Sequence, residues 1–229
     1  MVARTLLAVA ALLVTVAATA PEVVVLSNHH RLVIERPDSA TVRGTVLLIP
    51  GGSTLLKLGP NGETKTTNFV IRTRDRLLNA GYAVAYMDDP ADLREPIARA
   101  REIGRPVVLL STSRGTIVAA QNAARLGEQG PDLLILTSPV TVGGDSLGSV
   151  NLRPIMIPTL VTTNSEDTCR ASPPGGAAAL VPRLAHPSFM EFTSKQLYGD
   201  PCEPAAPHGY LGIEDDVLSK IVGWISEHS

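Results

Sequence analysis

Val107–Ala120 reads VVLLSTSRGTIVAA. The run Val107–Leu110 is apolar and rich in β-branched side chains, the pattern of a strand covered on both faces. From Gly115 the apolar positions Ile117, Val118 and Ala120 begin a helix against that strand. Ser113 therefore stands at a strand-to-helix turn. The five residues Ser111–Gly115 follow the pattern G-x-S-x-G with serine in place of the first glycine. A sharp turn of that kind projects the central hydroxyl and carries the helix close to neighbouring strands, so the residues two before and two after must be small. Gly115 meets this fully, and Ser111 is the smallest choice after glycine and alanine. Ser113 is the candidate nucleophile, and Ser111 the small residue behind it.

On either side of this turn, short apolar runs alternate with helical patterns, the signature of βαβ units around a parallel sheet. The expected strands are EVVVLSN, HRLVIERP, GTVLLIP, YAVAYMD, PVVLLSTS, LLILTSP, PTLVTTN and PSFMEFTS. Helices are expected over 68–80, 93–103, 114–127, 175–184 and 213–227, and the first two strands suit an antiparallel start. In the last helix Val217, Leu218, Ile221, Val222, Trp224 and Ile225 form an apolar stripe, which makes Trp224 a packing residue. Periodicity alone also fits a flavodoxin-like or Rossmann sheet. A nucleotide site finds little support, because no G-x-G-x-x-G follows the first strand and no G-x-x-x-x-G-K-[ST] occurs anywhere.

A serine hydroxyl is a weak nucleophile at neutral pH and needs a base oriented by a third group. On a strand–turn–helix of this type the chain order is serine, then acid, then histidine. The end of PTLVTTNSEDTC supplies the acid, Asp167 first and Glu166 second, with Asp200 a further alternative. CEPAAPHGYLGIEDDV places His208 in a Pro/Gly-rich loop before the last helix. His29 and His30 precede the nucleophile, His186 lies ahead of a strand, and His228 is at the chain end. An oxyanion needs backbone N–H donors: one from Arg114, after the nucleophile, and one from the loop in VLLIPGGST, where Gly52 is preferred over Gly51. Arg114 could also bind a substrate carboxylate, although pairing with a nearby acid is the commoner fate of such a side chain.

The chain has 229 residues, 44% hydrophobic and 18% charged, with a formal net charge of −2. That is one globular domain, and the absence of a basic run or an aromatic-rich surface speaks against nucleic acid as a partner. Arg4, the apolar run TLLAVAALLVTVA and Ala18-Thr19-Ala20 read as a secretory signal peptide over residues 1–20, leaving residues 21–229 as the mature domain. An uncleaved N-terminal anchor and a buried first helix are the competing readings. Export to the periplasm or beyond implies an oxidising compartment and no membrane contact after cleavage. The two cysteines, Cys169 and Cys202, are then expected to form a disulfide rather than remain free thiols. Two cysteines alone make a poor zinc site, so no metal is expected. Cys169 lies two residues beyond Asp167, and Cys202 six before His208, so the bridge would clamp the acid loop to the base loop.

These residues together resemble the α/β-hydrolase superfamily across the mature chain. NFVIRTRDRL, STSRGT and PHGYLGIE in particular resemble small, secreted proteobacterial members. The resemblance implies an α/β fold with a mostly parallel eight-stranded sheet, helices on both faces, and Ser113, Asp167 and His208 as nucleophile, acid and base. It brings no substrate, since one fold hosts many activities. Larger members carry a helical lid after the sixth strand. Here only VTVGGDSLGSVNLRPIMI separates that strand from the next, so no substantial lid is expected, and the cleft is expected to be roofed at most by loops 53–68 and 140–154. The expected activity is a cofactor-independent serine esterase acting on small-molecule esters. An exported peptidase or amidase, and a non-catalytic binding protein on the same fold, are the alternatives.

Overall fold

The runs TVLLI, AVAYM, VVLLST and LLILT carry almost no polar side chains, and each forms a fully buried strand. The computed structural model describes residues 20–229, so of the expected signal peptide only Ala20 falls among the described residues. The strands are β1 (Glu22–Val25), β2 (Arg31–Glu35), β3 (Thr45–Ile49), β4 (Ala83–Met87), β5 (Val107–Thr112), β6 (Leu133–Thr137), β7 (Thr159–Asn164) and β8 (Pro187–Phe192). They form one eight-stranded sheet in the order β1-β2-β4-β3-β5-β6-β7-β8. β1 with β2 and β2 with β4 are antiparallel, and every other pair is parallel. All eight expected strands are present, antiparallel start included.

Alternating residues of the central strands feed two cores. Leu47, Ile49, Leu109 and Leu134 pack under α3 (Arg94–Ile103), α4 (Gly115–Leu126) and α5 (Pro174–Ala178). Val46, Leu48, Val108 and Leu110 pack under α1 (Phe69–Arg72), α2 (Arg74–Asn79) and α6 (Glu214–Glu227). Trp224 lies in the second core, and its indole N–H donates to Ser188 Oγ at 2.9 Å. It packs, as its place on the α6 stripe predicts.

Two expected helices come out differently. The helix expected over 68–80 is broken at Thr73, whose hydroxyl donates to Phe69 O at 2.7 Å while its backbone leaves helical geometry (φ −102°, ψ 3°). Threonine back-bonding competes with the ladder it sits in. The helix expected over 175–184 stops at Ala178, and only a 3₁₀ turn, Val181–Arg183, continues it. Pro182 has no N–H to donate to the carbonyl of Ala178, so the α-helical ladder cannot run through it.

The segment between β6 and β7 forms no helix. Its apolar residues Val140, Leu147, Leu152 and Ile155 instead pack into the core under α4 and α5. Arg183 holds it there by donating to Leu147 O and Val150 O at 3.0 and 2.7 Å.

Candidate active site

The turn after β5 is built by close approach. A Cβ on Gly115 would come within 2.5 Å of the carbonyl oxygens of Ile49 and Pro50, so only glycine lets α4 start against β3. Ser113 has φ 53°, a left-handed conformation that costs energy in a residue other than glycine. Its neighbours hold it there. The Ser113 N–H donates to Thr137 O at 3.0 Å, and the Thr116 N–H and hydroxyl both donate to Ser113 O, at 3.0 and 2.6 Å. Ser111 is fully buried, and its hydroxyl donates to Ile135 O at 2.8 Å. Serine in place of the motif's first glycine thus bonds sideways into the sheet and leaves the turn to Ser113.

Asp167 and His208 meet. His208 Nδ1 lies 2.8 Å from Asp167 Oδ2, and both residues are buried. A carboxylate only accepts, so Nδ1 of the neutral ring carries the proton and Nε2 keeps its lone pair. Nε2 is buried and has no hydrogen-bond partner. The second Asp167 oxygen accepts from the Cys169 N–H at 2.8 Å. Glu166 turns outward to Lys195 at 3.5 Å, and Asp200 is exposed, accepting from the Cys202 N–H. The other histidines lie apart from this pair. His29 and His186 are exposed, His30 faces Asp89, and His228 stacks on Trp224.

Four residues that the motif reading assigns no role hold the histidine loop. Ser138 Oγ donates to His208 O at 2.8 Å, and Asn164 Nδ2 to Pro207 O at 3.1 Å. Tyr210 has φ 57° and a fully buried ring, its hydroxyl 2.7 Å from Thr162 Oγ1 and accepting from the Ser138 N–H. Burial pushes the Tyr210 phenol up to about 12, with the Asp167 charge adding to the effect. Arg72 donates to Gly209 O at 2.6 Å and pairs with Glu214 at 2.9 Å. Tyr210 lies in PHGYLGIE and Arg72 in NFVIRTRDRL, so the stretches were visible in sequence although their roles were not.

Ser113 and His208 line one cleft of about 340 Å³ together with Gly51, Gly52 and Asn68. Among the described residues, neither the Gly52 nor the Arg114 backbone N–H donates to another protein group. The Arg114 side chain points away and pairs with Asp145 at 3.0 Å on the surface. Loop 53–68 forms one rim, and the Cys202–Pro204 segment contributes to the lining. Loop 140–154, expected as a second roof, is not part of that lining, because its apolar residues are engaged in the core. The first rim is tied down: Arg31 donates to Leu58 O and Gly59 O at 2.7 and 2.9 Å, and Tyr86 to Gly62 O at 3.2 Å. The Cys169–Cys202 disulfide joins the acid loop to the Cys202–Pro204 segment. Among the described residues no cluster of three or more histidine, cysteine or acidic side chains could hold a metal ion.

No protein-family model matches the sequence, and no curated protein matches it. Solved structures do. Est1E from Butyrivibrio proteoclasticus superposes with a TM-score of 0.64 at 11% identity, over 92% of this chain and 99% of that one. A sugar hydrolase from Lactococcus lactis gives 0.66 at 14% identity, over 90% and 97%. A highly thermostable carboxyl esterase from Bacillus coagulans, in complex with glycerol, gives 0.60 at 13% identity, over 91% and 98%. At such identities the likeness shows the fold. It is the α/β-hydrolase fold, with its mostly parallel eight-stranded sheet.

Proposed function

We propose that the protein is an exported serine hydrolase acting on small carboxylic esters. The observation that carries the reading is the buried His208–Asp167 pair, 2.8 Å apart, whose histidine keeps an unpartnered Nε2 and lines one cleft with Ser113. Ser113 Oγ attacks the acyl carbonyl while His208 Nε2 takes its proton. Asp167 stabilises the imidazolium so formed and keeps the ring in the tautomer that leaves Nε2 basic. Negative charge on the carbonyl oxygen is received by the free N–H groups of Gly52 and Arg114. His208 then returns the proton to the departing alkoxide, leaving an acyl-Ser113, and water attacks that ester with His208 again as the base. Ser113 and His208 need not be hydrogen-bonded before substrate arrives, since such contacts often tighten only in the complex.

The cleft is small and its wall is mostly polar, with Ser53, Lys65, Thr66, Thr67 and Glu203 among its residues. That favours short, oxygen-rich substrates over long acyl chains. Est1E has been solved with ferulic acid bound and the Bacillus coagulans esterase with glycerol, which supports a small-molecule ester as the class. The disulfide accords with export, and no helix among the described residues is long and apolar enough to cross a membrane.

The test is labelling of the mature protein with a fluorophosphonate, beside Ser113→Ala and Ser111→Ala. Loss of label in Ser113→Ala alone is the expected result. A folded wild type that takes no label, or keeps it in Ser113→Ala, overturns the assignment. Short-chain aryl esters against the matching aryl amides then separate esterase from peptidase, with faster ester turnover expected.

A further inference from the structure

Asn68 stands at the N-cap position of α1, where asparagine is among the best residues for capping a helix by accepting from its first N–H groups. It does not cap. Its side chain makes no bond to the helix start. Its Oδ1 is buried without any hydrogen-bond partner, and no bond within the protein, among the described residues, uses its Nδ2. A buried carbonyl oxygen left unmatched and a cap left unmade both cost stability.

The position of the amide gives it a use. Asn68 lines the same cleft as Ser113 and His208. A Cβ built on Gly51 would lie 2.7 Å from Ser113 Cβ and 3.4 Å from Asn68 Nδ2, so the amide and the nucleophile flank the same point of the Gly51 backbone. That backbone leads directly into the free N–H of Gly52.

We infer that Asn68 Nδ2 is a third hydrogen-bond donor to the reacting carbonyl oxygen, beside the N–H groups of Gly52 and Arg114. The inference rests on the serine-hydrolase reading above. Rotation of the amide about its terminal torsion can turn either NH2 or C=O toward the cleft, and a carbonyl oxygen gaining negative charge selects the NH2. A donor preset in this way acts more strongly as charge develops than in the ground state, so its effect falls on kcat more than on KM. The absence of a capping bond follows: an amide committed to the helix could not face the substrate.

The experiment is steady-state hydrolysis of a short-chain aryl ester by the mature wild type, Asn68→Leu and Asn68→Asp, with melting temperatures and fluorophosphonate labelling of the wild type. Asn68→Leu keeps shape and removes the donor, and we expect kcat/KM to fall on the order of 10- to 100-fold, mostly through kcat. Its melting temperature should equal or exceed the wild-type value, which a merely structural amide would not allow. Asn68→Asp puts an acceptor-only anion at the same place and should lose more activity than Asn68→Leu. Wild-type kcat/KM in Asn68→Leu overturns the inference, as does an Asn68→Asp variant as active as the wild type. The second variant carries the test should the first fail to fold. If the wild type neither labels nor hydrolyses, the hydrolase reading falls and this inference with it. A labelled, active wild type with an indifferent Asn68 removes this inference alone.

Discussion

The carboxylate of Asp167 takes the Cys169 N–H on one oxygen at 2.8 Å and faces His208 with the other. The residue that orients the acid is therefore itself anchored, through its sulfur, to Cys202 at the cleft. Replacing both cysteines with alanine should reduce unfolding free energy by about 3–4 kcal/mol, the chain-entropy value for a bridge of this span. Ester turnover should fall as well, because the acid loop and the Cys202–Pro204 segment lose their common tie. Denaturant melts and turnover measured side by side check this, and unchanged values in both would refute it.

Asp167→Asn should leave the fold intact and reduce kcat by roughly 10³–10⁴-fold. The amide can donate to His208 Nδ1, which moves the ring proton to Nε2 and removes the base. Circular dichroism confirms folding, and a kcat within about tenfold of wild type would contradict the role given to Asp167.

Ser111→Gly restores the motif's usual glycine, yet it should not raise activity. The serine hydroxyl satisfies Ile135 O inside the sheet, so Ser111→Ala should cost about 1 kcal/mol and Ser111→Gly about 0.5–1 kcal/mol more. Fluorophosphonate labelling should survive both changes. Its loss in either would mean that Ser111 bears on the chemistry.

Gly115→Ala should be far worse than its single added carbon suggests. The new Cβ meets two backbone carbonyls at 2.5 Å, and backbone cannot swing aside as a flexible side chain can. Overpacking of this kind costs about 1–3 kcal/mol, and shifting α4 displaces the Arg114 N–H. Full activity at unchanged melting temperature would refute the close approach.

Alkaline pH supplies a further check. The Tyr210 phenol is raised from 10.0 to about 12 by burial, so the folded chain holds a proton that the unfolded chain has lost over that interval. Its contribution to stability is complete below pH 10 and disappears as pH rises through about 12. Tyr86, also raised by burial and by its bond to Glu35, acts in the same direction. Tyr210→Phe should melt lower at neutral pH but show a shallower decline above pH 10. An equally steep decline in both proteins would argue against the burial effect.

How much of this was legible in the sequence depended on the range of the forces involved. The strands were readable because a sheet covered on both faces demands apolar runs, and Val107–Leu110 announces itself locally. The chain order serine, acid, histidine is an expectation of the same architecture, and of its three members the structure brings Asp167 and His208 into contact. What escaped turned on single side chains within an element or on contacts between distant residues. Thr73 divides a helix through one hydroxyl, and Pro182 shortens another. Loop 140–154 has the length of a roof, but Val140, Leu147 and Leu152 draw it into the core. Ser138, Asn164 and Tyr210 resemble ordinary strand-end and loop residues until the histidine loop comes down on them.

Arg72 and Gly209 are 137 positions apart, and their bond ties the first helix after β3 to the loop before the last helix. During synthesis the turn bearing Ser113 and the anchors Arg72, Ser138 and Asn164 all precede β8, while His208 follows it. A nascent chain therefore carries no complete set of these groups until the loop after β8 has been made. Any hydrolytic power they have is withheld until that loop has been made.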